Sequence, residues 1–189
     1  DKGMYPPPDT VHRENFFCYD PPADGNCLFK SCCYSADKQN IASFKDYPTE
    51  GALRNGSMEY LLMNRKKREG DFTWEELAIL QKSDVARQLD HISPAPNKEI
   101  TTLEDYVQVM RVDTPNLCCW GDNLETRLIA NMASVNIAVY SDSDNEEGNC
   151  SVLSLRDFIE VDASFPTIFL LYTNMCTHYK AMIPNQKMS

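Results

Sequence analysis

The stretch Asp24-Gly25-Asn26-Cys27-Leu28-Phe29-Lys30-Ser31-Cys32-Cys33 sets three of the chain's eight cysteines within seven positions. Such crowding has three chemical meanings: a metal clip, a disulfide framework, or one nucleophile with bystanders. Zinc is poorly served, because no Cys-x-x-Cys occurs and His12, His91 and His178 lie far apart with no second ligand at metal-site spacing. Disulfide frameworks belong to short secreted chains with thin cores. Here Cys32-Cys33 and Cys118-Cys119 are vicinal pairs, which form strained and rare bridges. A reducing, intracellular setting is the expectation.

The nucleophile remains. A thiol attacks as its thiolate, and a helix N-terminus lowers its pKa from about 8.5. Asp24-Gly25-Asn26 reads as a tight turn, and Cys27 to Asp37 as a helix with Leu28, Cys32 and Ser35 on one side. Cys27 then stands at a helix N-terminus, where the turn aims backbone N–H groups at one point and can hold an oxyanion. The other thiols, Cys18, Cys32, Cys33, Cys118, Cys119, Cys150 and Cys176, read as small buried hydrophobes. A base must accompany Cys27. His178 follows Asn174-Met175-Cys176-Thr177 in a short loop between two apolar strands, whereas His12 falls in a Pro-rich arm and His91 at a helix end. On the residues alone, a loop histidine is more often a surface residue without a role, and both readings stand at this point.

The elements that must position this pair follow from local pattern. Residues 1–15 read as a flexible Pro-rich arm and 16–189 as one domain, with no internal repeat. Phe16 to Tyr19 suits a short strand. Thr49-Glu50 caps a helix that carries Leu53, Met58, Leu61 and Leu62 into the basic run Arg65-Lys66-Lys67-Arg68, with Gly70-Asp71 ending it. A second helix starts near Thr73, and Ser93 to Asn97 is a loop. Thr102 to Asp105 caps a helix bearing Tyr106, Val109 and Met110, and Asn123 to Ala133 is helical by period. Strands are expected over Val135–Tyr140, Ser151–Leu155, Thr167–Tyr172 and Tyr179–Ile183. Helices first and strands last point to α+β, a small and mostly antiparallel sheet packed by helices.

Composition excludes several function classes. A chain of 189 residues with 42% apolar and 10% aromatic content is an ordinary globular one. Its net charge of -10 argues against DNA or RNA as a partner. No apolar run approaches the ~18 residues that span a bilayer. The N-terminus carries no signal-peptide pattern, and its opening on Asp rather than Met suits a domain excised from a longer chain. The sequons at Asn55 and Asn149 are read as chance, and a monomer is expected.

Asp24-Gly25-Asn26-Cys27-Leu28-Phe29 resembles the nucleophile motif of the ovarian tumour (OTU) cysteine proteases, the papain-like deubiquitinases. Trp120-Gly121-Asp122-Asn123-Leu124-Glu125 with Ile137 to Tyr140 resembles the family's middle block, and His178-Tyr179 its histidine block. Leu53-Arg54, Glu59-Tyr60-Leu61 and Glu104-Asp105-Tyr106 resemble its helical spacers. The resemblance runs from about Tyr19 to Ile183. It implies a papain-like α+β fold and hydrolysis of the isopeptide bond between ubiquitin's C-terminal glycine and a lysine. Ubiquitin or polyubiquitin would be the partner, with no metal or organic cofactor. Cys27 would be the nucleophile and His178 the general base, with Asp24, Gly25 and Asn26 as the oxyanion loop.

One position departs from the pattern. Family members commonly place Asp or Asn two residues after the histidine to orient the imidazole, and this chain has Lys180, which accepts no hydrogen bond. Asp24 is the choice for the third catalytic member by position, with Asp20 and Asn174 as further orienters. Trp120 reads as a core aromatic at a turn or, more sharply, as part of the substrate rim. Asp142 and Asp144, in an acidic loop that is by default solvated surface, are placed on the same rim, facing ubiquitin's arginines. The alternatives are a catalytically weak or inactive ubiquitin-binding module and a cysteine protease for a ubiquitin-like modifier or a viral polyprotein.

Overall fold

The structure is a computed structural model, which describes residues 5–92, 99–142, 151–173 and 178–185. In chain order it comprises β1 (Thr10–His12), β2 (Phe16–Tyr19), α1 (Cys27–Lys38), α2 (Glu50–Met63), β3 (Arg68–Glu69), β4 (Phe72–Thr73), α3 (Trp74–Ile92), α4 (Leu103–Met110), α5 (Asn123–Ala133), β5 (Asn136–Asp142), β6 (Val152–Ile159), β7 (Thr167–Thr173) and β8 (His178–Pro184).

Among the described residues, six strands form one sheet in the order β1-β6-β5-β7-β8-β2, in which only the β5–β7 pair is parallel. The expected α+β class, a mostly antiparallel sheet packed by helices, is the one found. β5 is buried on both faces, and its alternation decides the layers. Ile137 and Val139 pack with Leu28, Phe29 and Cys32 of α1 and Ile129 of α5. Ala138 and Tyr140 face the opposite side with Phe16, Phe169 and Met182. A second cluster, built on Met58, Leu61, Trp74, Tyr106 and Leu128, joins helices α2 to α5. α4 starts as read from its sequence, with Thr102 and Asp105 capping each other's backbone N–H.

Three local expectations change. Residues 10–12 are no free arm, because β1 pairs with β6, and Asp9 and Pro8 carbonyls accept Leu155 N–H and Tyr140 O–H. The basic run does not extend α2. The helix stops at Met63, and Gly70-Asp71, with Gly70 at φ +59°, turns the β3–β4 hairpin instead. There Arg65 and Lys66 both reach Glu75, so the run is a tether to α3. His178 is not a loop residue but the first residue of β8. The expected Ser93–Asn97 loop lies outside the described residues, as do Asn174 and Asp144.

Candidate active site

Cys27 is the first residue of α1, and its position is fixed by the turn before it. Gly25 has φ +92°, a conformation that disfavours any Cβ. The Asp24 carbonyl accepts from Asn116 N–H at 2.9 Å and from the Cys118 thiol at 3.3 Å. The next carbonyl, of Gly25, accepts from Arg54 Nη2 at 2.9 Å. A trans peptide carries its C=O and N–H on opposite edges. The Gly25 N–H therefore points away from the Asn116 and Cys118 contacts. The Asn26 N–H is already used, donating to Asp24 Oδ1 at 3.1 Å. Of the expected oxyanion loop, the Asn26 N–H is thus taken up within the turn, and the Gly25 N–H lies on the edge opposite the Asn116 and Cys118 contacts.

β8 meets α1 at the nucleophile. Pairing with β2 ends at Tyr19↔Ala181, and the Tyr179 backbone turns to the helix. Its carbonyl accepts from Ser31 Oγ at 3.1 Å, and its amide reaches the Cys27 sulfur, as do the amides of Leu28 and Cys27 itself. His178 is the residue before Tyr179. Both members of the pair are buried, Cys27 at 3% and His178 at 6% exposure. His178 Nε2 lies 2.7 Å from Asp20 Oδ1, and Lys180 Nζ lies 2.6 Å from Asp20 Oδ2. Against its burial, Lys180 and His178 together hold the Asp20 carboxyl below the usual range.

The structure does not bring Asp24 to the imidazole. Asp24 spends Oδ1 on Asn26 and Oδ2 on Lys30, and no ion pair joins it to His178. Asp142 closes β5 at the same end of the sheet as His178, since Ser141 pairs with Tyr172, and Thr173 with His178. Trp120 is 38% exposed, and its Cδ1 lies 3.2 Å from where a Gly25 Cβ would stand, so it borders the turn rather than filling the core. His12 pairs with Val152 in β1, away from this cluster in sheet order. Among the described residues, no group of three His, Cys, Asp or Glu side chains is placed to hold a metal ion.

The helix terminus was expected to lower the thiol's pKa, and the opposite holds. Burial pushes the Cys27 thiol up, outweighing the Tyr179, Leu28 and Cys27 amides that favour the thiolate. Cys27 in the resting protein is therefore a thiol at neutral pH and needs a base to lose its proton. The expected consequence is that iodoacetamide alkylates Cys27 slowly at pH 7 and faster with rising pH through the ordinary thiol range and above. A rate already level below pH 7, followed on the Cys27 peptide by mass spectrometry, would show a preformed thiolate and contradict this.

Sequence reasoning passed over Arg54, treating it as a helical spacer. Its signal was present: Leu53, Met58 and Leu61 form the buried stripe of α2, and Arg54 lies within it at 0% exposure.

Comparison with known proteins bears on the fold and the family. Ubiquitin thioesterase otu2 of Schizosaccharomyces pombe is 28% identical over 122 residues, covering 65% of this chain and 31% of the relative, so the chain spans about a third of that protein's length. The viral OTU domain protease from Dera Ghazi Khan virus superposes with a TM-score of 0.55 at 13% identity, over 94% of this chain and 86% of that one. The Hazara virus OTU, solved bound to ubiquitin, gives 0.50 at 14% identity, over 94% and 87%. The sequence model of the OTU-like cysteine proteases matches residues 22–179, from the turn that precedes Cys27 to the residue after His178, and the chain belongs to that family.

Proposed function

We propose that the protein is a deubiquitinase that hydrolyses the isopeptide bond between ubiquitin's C-terminal glycine and a lysine through a Cys27 thioester. The observation that carries this reading is the junction of β8 with α1, where the Tyr179 amide reaches the Cys27 sulfur and His178 Nε2 lies 2.7 Å from Asp20. Ubiquitin as the substrate is supported by the name of the S. pombe relative and by the ubiquitin-bound Hazara virus domain.

His178 donates Nε2–H to Asp20 Oδ1, which leaves Nδ1 as the basic nitrogen for the thiol. As the sulfur attacks the glycine carbonyl, its proton passes to Nδ1, and the carbonyl oxygen takes hydrogen bonds from the Gly25 and Cys27 amides. The C–N bond then breaks, and His178 returns the proton to the departing lysine amine. In the second half, His178 takes a proton from water, whose oxygen attacks the thioester, and the thiol is restored with ubiquitin released. Asp20 orients the imidazole and stabilises its charged form, the role that sequence position had given to Asp24. Trp120 borders the entry of the glycine tail, with Asp142 on the acidic rim toward ubiquitin's arginines.

The test is reaction with ubiquitin carrying a C-terminal thiol-reactive warhead. The wild type forms a covalent adduct, Cys27→Ala forms none, and His178→Ala forms one at a rate reduced by about 10²-fold or more. Equal labelling of Cys27→Ala and wild type would remove Cys27 from the mechanism.

A further inference from the structure

Arg54 is a buried cation with no carboxylate at ion-pair distance among the described residues. Its partners are oxygens of neutral groups: Nε donates to Asn26 Oδ1 at 3.1 Å, Nη2 to the Gly25 carbonyl at 2.9 Å, and Nη1 to the carbonyls of Met110 at 2.9 Å and Cys119 at 3.0 Å. The guanidinium also lies 4.3 Å over the Phe29 ring of α1. One planar fork thus joins the turn before the nucleophile, the end of α4 and the segment before α5. Asn26 completes the joint by donating Nδ2–H to the Asp113 carbonyl at 2.7 Å, so its side chain is not free to cap α1. A buried charge that meets no counter-charge is costly, and an apolar residue of similar volume would fill the space more cheaply. The Gly25 carbonyl and the Asn26 side chain that it holds lie in the chain between the Gly25 and Cys27 amides, so fixing both restrains the backbone on either side.

We infer that Arg54 is a positioning residue for the oxyanion-binding turn: by fixing the Gly25 carbonyl and the Asn26 side chain, it holds the Gly25 and Cys27 amides in the orientation that receives the oxyanion. It acts through these groups and touches neither thiol nor substrate. The inference rests on the reading that Cys27 attacks a carbonyl, but not on ubiquitin being the substrate.

Two reactions of the same thiol separate this role from general damage. Acetylation of Cys27 by p-nitrophenyl acetate passes through an oxyanion, whereas displacement of iodide from iodoacetamide does not. Removing an oxyanion donor costs about 10²–10³-fold in other hydrolases. Arg54→Met is therefore expected to slow Cys27 acetylation by about 10²-fold while alkylation stays within about threefold, both read on the Cys27 peptide by mass spectrometry. With a fluorogenic ubiquitin amide, kcat falls by a similar factor and KM stays within about threefold. Arg54→Lys keeps the charge but loses the fork, so it remains at least about tenfold slow in acetylation. Because Arg54→Met strands buried carbonyls and loses stability with them, Asn26→Ala, which removes one of the four bonds, serves as a second variant and shows the same selective loss at about tenfold. Acetylation and alkylation falling together, or acetylation unchanged in folded Arg54→Lys and Asn26→Ala, overturns the inference. A wild type that acetylates normally but never cleaves ubiquitin would instead overturn the proposed substrate alone.

Discussion

Asp20→Ala is expected to lower kcat for ubiquitin release by about 10²–10³-fold with little change in KM, the scale of losing an imidazole's orienting partner. The effect is large because the resting nucleophile is a thiol whose proton must pass to His178, so an unoriented imidazole leaves the first step without a base. Asp24→Ala removes the acceptor of Asn26 N–H and the partner of Lys30, and its loss is expected to stay within about tenfold, the cost of one or two hydrogen bonds in a loop. If Asp24→Ala were as damaged as Asp20→Ala in kcat, the orienting role would not be specific to Asp20. Lys180→Asp sharpens the contrast. The family pattern suggests a gain from restoring an acid there, but Lys180 holds the second oxygen of Asp20, and an aspartate would set like charges side by side. Activity is therefore expected to fall. Lys180→Met has a milder effect with a definite sign. Without Lys180 the Asp20 carboxyl rises toward its ordinary range, accepts a proton at higher pH, and moves the acid limb of the kcat profile upward.

The second large effect is at Gly25. An alanine there would place its Cβ 2.6 Å from both the Cys118 carbonyl oxygen and the Cys118 sulfur, at φ +92°. The backbone strain costs about 1–3 kcal/mol, and overpacking adds about 1–3 kcal/mol. The expected result is a loss of adduct formation with the ubiquitin warhead of about 10³-fold, with a lowered midpoint of thermal unfolding. Cys118→Ala in the same chain removes the sulfur but leaves the backbone oxygen in place. It is expected to recover little of the rate, and full recovery in the double variant would place the conflict in the side chain alone.

Much of the scaffold was legible because its signals are local. The Asp-Gly-Asn turn, the start of α1 at Cys27, the Thr102 cap and the apolar strands β5 and β7 each follow from neighbours within one or two turns of chain. What was not legible depends on register between distant strands. Tyr19 pairs with Ala181, which sets Asp20 against Lys180 and His178, whereas no local feature separates Asp20 from Asp24. The thiol's pKa escaped for a related reason. The helix terminus is visible in sequence, but the burial that outweighs it is created by β8 and the core. Arg54 in an apolar stripe was a readable anomaly that spacing alone did not explain. The basic run misled because its partner, Glu75, lies in α3 beyond the β3–β4 hairpin, which begins after α2 has already stopped at Met63.

β8, the last strand in chain order among those described, does not add to an edge but inserts between β7 and β2. Asp20 and His178 are 158 positions apart, so the contact that would arm the nucleophile closes one of the longest loops in the molecule. During synthesis, a chain released as far as β7 would expose both the β7 edge and an unpaired β2 with its half-exposed Phe17. Such non-local closure is slow compared with helix formation. A nascent molecule would thus lack the Asp20–His178 contact until residues 178–184 emerge, and completion of the site and of the sheet would arrive in one event.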